Sequence, residues 1–120
     1  MTKKLLFLVF SGDACRVQHA FMHALDLAEH GHQVCLLLEG EATAKLRELD
    51  GRFGELFRAA LAENLVAGVC ATAARGCSTG DPARHVAELA EELGLSLLGD
   101  LSGHASIERF VRDGYELVTF

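Results

Sequence analysis

Two cysteines and an arginine lie close together in residues 68–80, where most of the other side chains are small. A cysteine attacks as its thiolate, and a nearby cation or the backbone N–H groups at a helix start stabilise that form. Cys70 lies where a predicted strand ends, and Arg75 is close enough in sequence to supply the cation. Residues 71–74 can form one helical turn that donates its amides to the sulfur. We therefore predict thiol chemistry in this loop, with Cys70 or Cys77 as the nucleophile.

Each of these cysteines also has an interpretation without chemistry. An unpaired cysteine near a strand commonly behaves as a small buried hydrophobic residue, which is the alternative for Cys70. Cys77 directly follows Gly76 in the more exposed half of the loop. Its functional interpretations are the nucleophile itself or a thiol that resolves a persulfide or disulfide at Cys70. Its interpretation without chemistry is an ordinary surface thiol. Cys35 lies within an apolar run, so we predict that it is buried and has no role.

A second group with possible chemistry is Cys15, His19 and His23, whose spacing of four residues places them on one stripe of a predicted helix. Two histidines four apart on a helix can reach one metal ion. A closed zinc site needs a further ligand, for which His104 and the loop cysteines are the candidates. A solvated polar face explains the same spacing and is the stronger prediction. We expect neither a metal nor an organic cofactor.

The elements that must position these residues alternate between strands and helices. Apolar runs of strand length lie at residues 5–10, 33–38, 66–70, 95–98 and 115–120. Helical patterns lie between them, at residues 16–30, 41–49, 53–64, 82–93 and 106–112. Repeated βα units of this kind build a mainly parallel sheet covered by helices. The sequence predicts a single α/β domain over residues 1–120, a three-layer sandwich with a five-stranded sheet of the Rossmann or flavodoxin type.

The carboxyl ends of the predicted strands define where a ligand should bind. In open parallel sheets, ligands and reactive groups lie beyond this edge. The loops that follow the strands would bring together the residues of a predicted substrate pocket, Ser11, Gly12, Gly40, Gly76 and His104. The loop that holds Cys70 opens onto the same edge.

The composition of the chain argues against some classes of partner and indicates where in the cell the protein is expected. The formal net charge of -6, from 17 acidic and 11 basic residues, argues against direct nucleic-acid binding, which needs a concentrated basic face. The apolar run after the first four residues is too short for a signal peptide. No run approaches the roughly 20 apolar residues of a membrane helix. The sequence predicts a cytoplasmic protein without membrane contact, in which the cysteines are free thiols.

Several segments in order along the chain carry a resemblance to a known family. They are the first strand at residues 4–10, the helix at 19–28, the sequence 31–34 into the second strand, Gly68-Val69-Cys70 with Arg75-Gly76, and the Gly114-Tyr115 turn. In this order and spacing, the chain resembles the DsrE/DsrF-like family of small sulfur-transfer proteins. That family includes subunits of the sulfur relay for tRNA thiolation and of bacterial sulfur oxidation. The resemblance implies a DsrE-like fold over nearly the whole chain.

The resemblance also implies roles for the loop residues. In family members that carry sulfur, a cysteine after the third strand accepts a persulfide and passes it on, and Cys70 matches that position. The Arg75-Gly76 step arrives slightly earlier than in the family, and Cys77 stands where the family usually has an apolar residue. The family pattern therefore leaves open whether Cys70 or Cys77 is the reactive thiol.

The leading functional hypothesis is a cytoplasmic sulfur carrier or sulfurtransferase, with protein partners that donate and accept the sulfur. Arg75 and the loop amides would stabilise the Cys70 thiolate and its persulfide, and Cys77 would assist release by forming a disulfide. The resemblance further implies a homo-oligomer, a trimer or hexamer. The alternative is a non-catalytic oligomeric module of the same fold that binds a small ligand or a protein partner at the strand ends.

Overall fold

A computed structural model describes residues 1–75 and 84–120 of the chain. The strands are β1 (Lys4–Val9), β2 (Gln33–Leu38), β3 (Val66–Cys70), β4 (Leu97–Leu98) and β5 (Glu116–Thr119). The helices are α1 (Ala14–Glu29), a 3-10 helix (Gly40–Arg47), α2 (Gly51–Ala62), α3 (Ala71–Ala74), α4 (Arg84–Glu92) and α5 (Glu108–Arg112). The predicted alternation of strands and helices is confirmed, and β2 and β3 have the predicted bounds.

The five strands form one sheet in the order β4-β3-β2-β1-β5, and every pairing in it is parallel. Strands β1 to β4 add in sequence order towards one edge, and β5 then returns to the opposite side of β1. Right-handed crossovers place the helices of the first connections on one face and the helix of the return connection on the other. The predicted α/β sandwich of flavodoxin-like type is therefore confirmed as one compact domain.

The first face of the sheet is covered by α1, α2, α4 and the 3-10 helix. Apolar residues at helical spacing on α1 and α2 point at the strands, and the rings of Phe21, Phe53 and Phe57 meet with centroids 5.3 to 5.9 Å apart. Phe21 and Phe57 have no exposed surface. This face contains the larger core cluster of the described residues.

The second face of the sheet is covered by α5 and by the chain that leads from β4 to it. Its smaller core cluster contains Cys70 from β3 and Phe110 from α5. Strand residues on this face, such as Leu8 and Cys35, stay half-buried. Leu117 of β5 is 44% exposed. A helix of five residues cannot cover a sheet of five strands, so the second face is thinly packed.

Most of the other element boundaries differ from the sequence prediction by one or two residues, and the start of α1 has an identifiable reason. Helix α1 begins two residues before the predicted start, because the Asp13 carboxylate accepts a hydrogen bond from the Arg16 N–H at 3.0 Å and caps the helix. The segment predicted as a helix at residues 41–49 is a 3-10 helix. The predicted start of α4 at residue 82 lies outside the described residues. Within the described ranges, no helix has the length and apolar character needed to cross a membrane.

Candidate functional site

Three side chains with possible chemistry lie at the carboxyl edge of the sheet: Glu39 directly after β2, Cys70 at the end of β3 and His104 in the loop after β4. Leu38 of β2 pairs with Val69 of β3, so the residues that follow them, Glu39 and Cys70, stand side by side on neighbouring strands. Side chains of adjacent parallel strands in register point to the same face. Because Glu39 is extended, with φ -133° and ψ 170°, its side chain turns towards the second face with that of Cys70.

The sulfur of Cys70 contacts an imidazole. Cys70 Sγ lies 3.5 Å from His104 Nδ1, within the distance at which a thiol and a ring nitrogen share a proton. Cys70 is 1% exposed, whereas His104 is exposed to solvent. The imidazole therefore connects a buried thiol to bulk water, and proton transfer from sulfur to nitrogen would create a thiolate beside an imidazolium.

A tight turn holds His104 in this place. The backbones of Leu101 and His104 exchange two hydrogen bonds of 2.8 Å. The carbonyl of Gly103 accepts from both the amide and the hydroxyl of Thr72, at 3.1 and 2.5 Å. Gly103 has φ +91°, and a Cβ added there would lie 2.6 Å from Thr72 Oγ1. A side chain at position 103 would thus push the His104 turn away from α3.

Helix α3 confirms the predicted single turn after Cys70, but its amides are used differently from the prediction. Cys70 is the N-cap residue of the turn, and its side chain receives no capping hydrogen bond. The amide of Thr72 donates instead to Gly103. Arg75 caps the opposite end of the turn and is exposed. The group that contacts the Cys70 sulfur is His104, so the expected stabilisation by loop amides is replaced by contact with an imidazole.

Glu39 is a functional candidate that sequence reasoning did not single out. It is 9% exposed, although glutamate is rarely buried without a charged or hydrogen-bonding partner. Burial raises the pKa of the Glu39 carboxyl, and the charge of His104 acts in the opposite direction. The one sequence signal was an acidic residue that directly follows the apolar run 34–38 and precedes a glycine.

The predicted substrate pocket is divided in the structure. An open depression of about 390 Å³ is lined by Phe10, Ser11, Arg16, Gly40, Glu41 and Phe120. It contains two of the predicted residues, Ser11 and Gly40. Gly40 has φ +50°, and a Cβ there would lie 2.6 Å from the Phe10 ring, so only a bare backbone fits under that ring.

The other predicted pocket residues lie elsewhere. His104 belongs to the Cys70 contact, and Gly12 lies against the 3-10 helix, where an added Cβ would be 3.1 Å from Glu41. Gly76 and Cys77 lie outside the described residues. The prediction that Cys77 assists or replaces Cys70 therefore stays a prediction.

The stripe of Cys15, His19 and His23 lies on the exposed side of α1. Cys15 Sγ is 4.0 Å from His19 Nε2, and the two imidazole centroids are 6.1 Å apart. Across residues 1–75 and 84–120, no group of three His, Cys, Asp or Glu residues is arranged to hold a metal ion. His104, the candidate further ligand, contacts Cys70 instead.

Cys35 is half-buried on the second face, not enclosed as predicted. Its thiol donates to the hydroxyl oxygen of Tyr115 at 3.7 Å. The pKa of Tyr115 is raised, with the neighbouring Cys35 as the largest cause and burial as the next. Cys35 therefore offers an internal reference, a second free thiol on the same face with a tyrosine in place of an imidazole.

Comparison with known proteins identifies one related protein, whose activity is not described. No model of a known protein family matches the chain, and no solved structure matches it. A protein of Archaeoglobus fulgidus, described as uncharacterized, is 40% identical to the chain over 43 residues. The match covers 36% of this chain and 70% of the archaeal protein. The resemblance to sulfur-transfer proteins stays a prediction.

Proposed function

Since the chain belongs to the same family as this uncharacterized archaeal protein, which brings no activity with it, we propose a function from the chemistry of the site. The protein is a sulfur carrier that accepts a persulfide on Cys70 and relays it to a protein acceptor. The observation that supports this proposal best is the 3.5 Å contact between Cys70 Sγ and His104 Nδ1. An imidazole at this distance can take the thiol proton, which is the first requirement for attack.

The transfer balances without a cofactor. His104 takes the proton of Cys70, and a lone pair of the thiolate attacks the outer sulfur of a donor persulfide. The donor's S–S bond breaks, and its electron pair stays on the donor's inner sulfur. A new S–S bond forms on Cys70, and His104 returns its proton to the donor thiolate. No net oxidation occurs, so the step needs no oxidant or reductant.

Access to Cys70 depends on His104. The thiol is 1% exposed, and the imidazole that contacts it is on the solvent side. A donor persulfide therefore approaches Cys70 from the solvent side, where His104 can exchange the proton. Arg75, exposed at the end of α3, provides a positive charge for an approaching persulfide anion in this proposal.

The experiment is sulfur loading with inorganic polysulfide, followed by intact mass spectrometry. Wild-type protein should gain one sulfur atom on Cys70, and Cys70→Ser should lose that addition. Cys35→Ser is the matched control, because Cys35 is a half-buried thiol of the same face without a histidine beside it. It should load like wild type.

Two results would contradict this assignment. Absence of added sulfur on the wild type would overturn the carrier function. Addition that survives Cys70→Ser and disappears in Cys77→Ser would move the site to Cys77.

A second candidate function has its own supporting observation, the near-complete burial of Cys70. A buried thiol also fits a non-catalytic module in which Cys70 only packs, and which binds a partner through the second face. Val111 and Leu117 are 57% and 44% exposed there, which is compatible with the proposed trimer or hexamer. Light scattering distinguishes a stable oligomer from a monomer, and sulfur loading distinguishes the carrier from the module.

A further inference from the structure

We infer that the open depression beside β1 is a binding site for a small zwitterion, a free amino acid with an aromatic side chain. The Arg16 guanidinium binds its carboxylate, the Glu41 carboxylate binds its ammonium group, and the surrounding phenylalanine rings contact its side chain. The residues that line the depression do not include Cys70 or His104. The inference therefore does not rest on the proposed sulfur carrier.

The depression lies where β1 and β2 end, at the carboxyl edge of the sheet. Phe10 and Ser11 directly follow β1, and Gly40 begins the 3-10 helix after β2. The volume of about 390 Å³ is within the range of roughly 300 to 1,000 Å³ that is usual for small-molecule sites. Ligands of open parallel sheets bind beyond this edge. Both the place and the size therefore fit a small ligand.

Two phenylalanine rings form the apolar part of the depression. Phe10 is 54% exposed, and its ring lies directly over the backbone of Gly40, where an added Cβ would be 2.6 Å away. The Phe120 ring packs on that of Phe7, with centroids 4.9 Å apart. The Phe120 carbonyl accepts from the Phe10 amide at 2.8 Å. These contacts hold both rings in place, and an aromatic ligand gains from ring contacts beyond the area that it buries.

Two opposite charges line the same depression without contacting each other. Arg16 and Glu41 are both exposed. Within the described part of the chain, neither side chain makes an ion pair or a hydrogen bond. Glu41 lies against the loop after β1, because a Cβ added to Gly12 would be 3.1 Å from both its Cβ and its Oε2. A ligand with one negative and one positive group pairs with both charges at once.

The same charges argue against other small ligands. A phosphate or a nucleotide brings two or more negative charges, which the carboxylates of Glu41 and the nearby Asp13 repel. A ligand with only positive charge is repelled by Arg16. The Ser11 hydroxyl oxygen accepts from the Asp13 amide at 3.0 Å, so its proton can be donated to a carboxylate. A zwitterion with a single charge of each sign is the class that fits all these groups.

The test follows the amide NMR signals of the intact chain as L-phenylalanine is added. The amides of Ser11 and Gly40 should shift with a dissociation constant on the order of 1 mM, because contacts with exposed charges each contribute little. Three related ligands each lack one recognised group. L-Alanine lacks the ring, phenylalanine amide lacks the carboxylate and N-acetylphenylalanine lacks the ammonium. Each should bind about threefold or more weakly than phenylalanine.

Two variants test which residue recognises which group. In Arg16→Gln, the preference for phenylalanine over its amide should disappear, because the guanidinium that distinguishes them is gone. In Glu41→Gln, the preference for phenylalanine over N-acetylphenylalanine should disappear for the same reason. Both side chains are exposed, so the variants should fold like wild type. Arg112→Gln, at an exposed arginine of α5, is the matched control and should keep both preferences.

Three results would overturn the inference. They are Ser11 and Gly40 amides that do not respond to phenylalanine, equal binding of phenylalanine and L-alanine, and a ligand preference that persists in the variant expected to abolish it. None of these measurements involves sulfur. Phenylalanine binding without sulfur loading would remove the carrier function and leave this site in place, and the reverse result would remove only this site.

Discussion

The two faces of the sheet differ in how they are covered and in what they contain. Helices α1, α2 and α4 cover the first face, whose aromatic cluster is closed to solvent. The five-residue α5 covers the second face, which holds two free thiols and the histidine turn. Burial of apolar surface stabilises the fold mainly on the first face. The second face carries less apolar cover, and its free thiols and the histidine lie there.

The largest expected effect tests the first face. Phe57→Ala removes a ring with no exposed surface that contacts Phe21 and Phe53, and should lower the free energy of unfolding by about 3 to 5 kcal/mol. Phe110→Ala, at a residue of α5 that is 7% exposed, should cost less. Urea denaturation followed by circular dichroism measures both. Equal costs would show that the two faces contribute alike to stability.

The next effect tests how the second face holds its histidine. Gly103→Ala combines a φ of +91° with a clash at Thr72 Oγ1, whereas Gly114→Ala has a φ of +90° and no atom within 4 Å. Gly114→Ala should cost about 1 kcal/mol for the left-handed backbone, and Gly103→Ala about 2 kcal/mol or more because the turn must also move.

Sulfur loading compares the function of Gly103→Ala with that of Gly114→Ala. The displaced turn of Gly103→Ala should load sulfur more slowly than wild type, and Gly114→Ala should load normally. Equal loading by the two variants would show that the position of the His104 turn does not control Cys70.

A smaller effect follows from the raised pKa of Glu39. The folded chain binds this proton more tightly than the unfolded chain does. The resulting stabilisation is fully present below the unfolded pKa and is lost as pH rises through the folded pKa. As the pH rises above the unfolded pKa of about 4.3, the wild type should therefore lose stability relative to Glu39→Gln. Thermal unfolding across this rise in pH measures the difference, and a wild type that gains on the variant would contradict the assignment.

The smallest effect concerns the other thiol of the second face. Tyr115→Phe removes the acceptor of the Cys35 hydrogen bond, at a donor–acceptor distance of 3.7 Å, and should cost about 0.5 to 1 kcal/mol. Sulfur loading of Cys70 should stay at the wild-type level. Reduced loading in this variant would mean that the two thiols of the face are coupled.

The sequence predicted the strands and helices better than the site. Strands and helices depend mainly on neighbouring residues, whereas the site depends on contacts between residues far apart in sequence. Strands β2 and β3 have their predicted bounds because apolar residues of strand length follow one another there, at residues 34–38 and, apart from Gly68, at residues 66–70. The sequence prediction placed the start of α1 two residues too late. The apolar spacing fits a start at Arg16 as well, and the hydrogen bond by which Asp13 caps the helix is what fixes the earlier start.

The site needed contacts between distant residues. Cys70 was predicted from its place at a strand end, and His104 was assigned to the same edge. Their 3.5 Å contact spans 34 positions of sequence. Glu39 looks like the polar end of a strand in the sequence, and its burial depends on how the later loops fold over it. No local pattern encodes that packing.

The strand order has a consequence for the route by which the chain folds. Strand β1 can pair with β2 once the first 38 residues have been synthesised. Its other neighbour, β5, lies at Glu116–Thr119, more than 100 residues after β1 itself. Pairing over such a sequence separation is slow because a long loop must close first. Until then, β1 presents an apolar strand with an open edge, the kind of surface that recruits other chains. Folding on the ribosome therefore leaves β1, an interior strand of the final sheet, at a temporary edge.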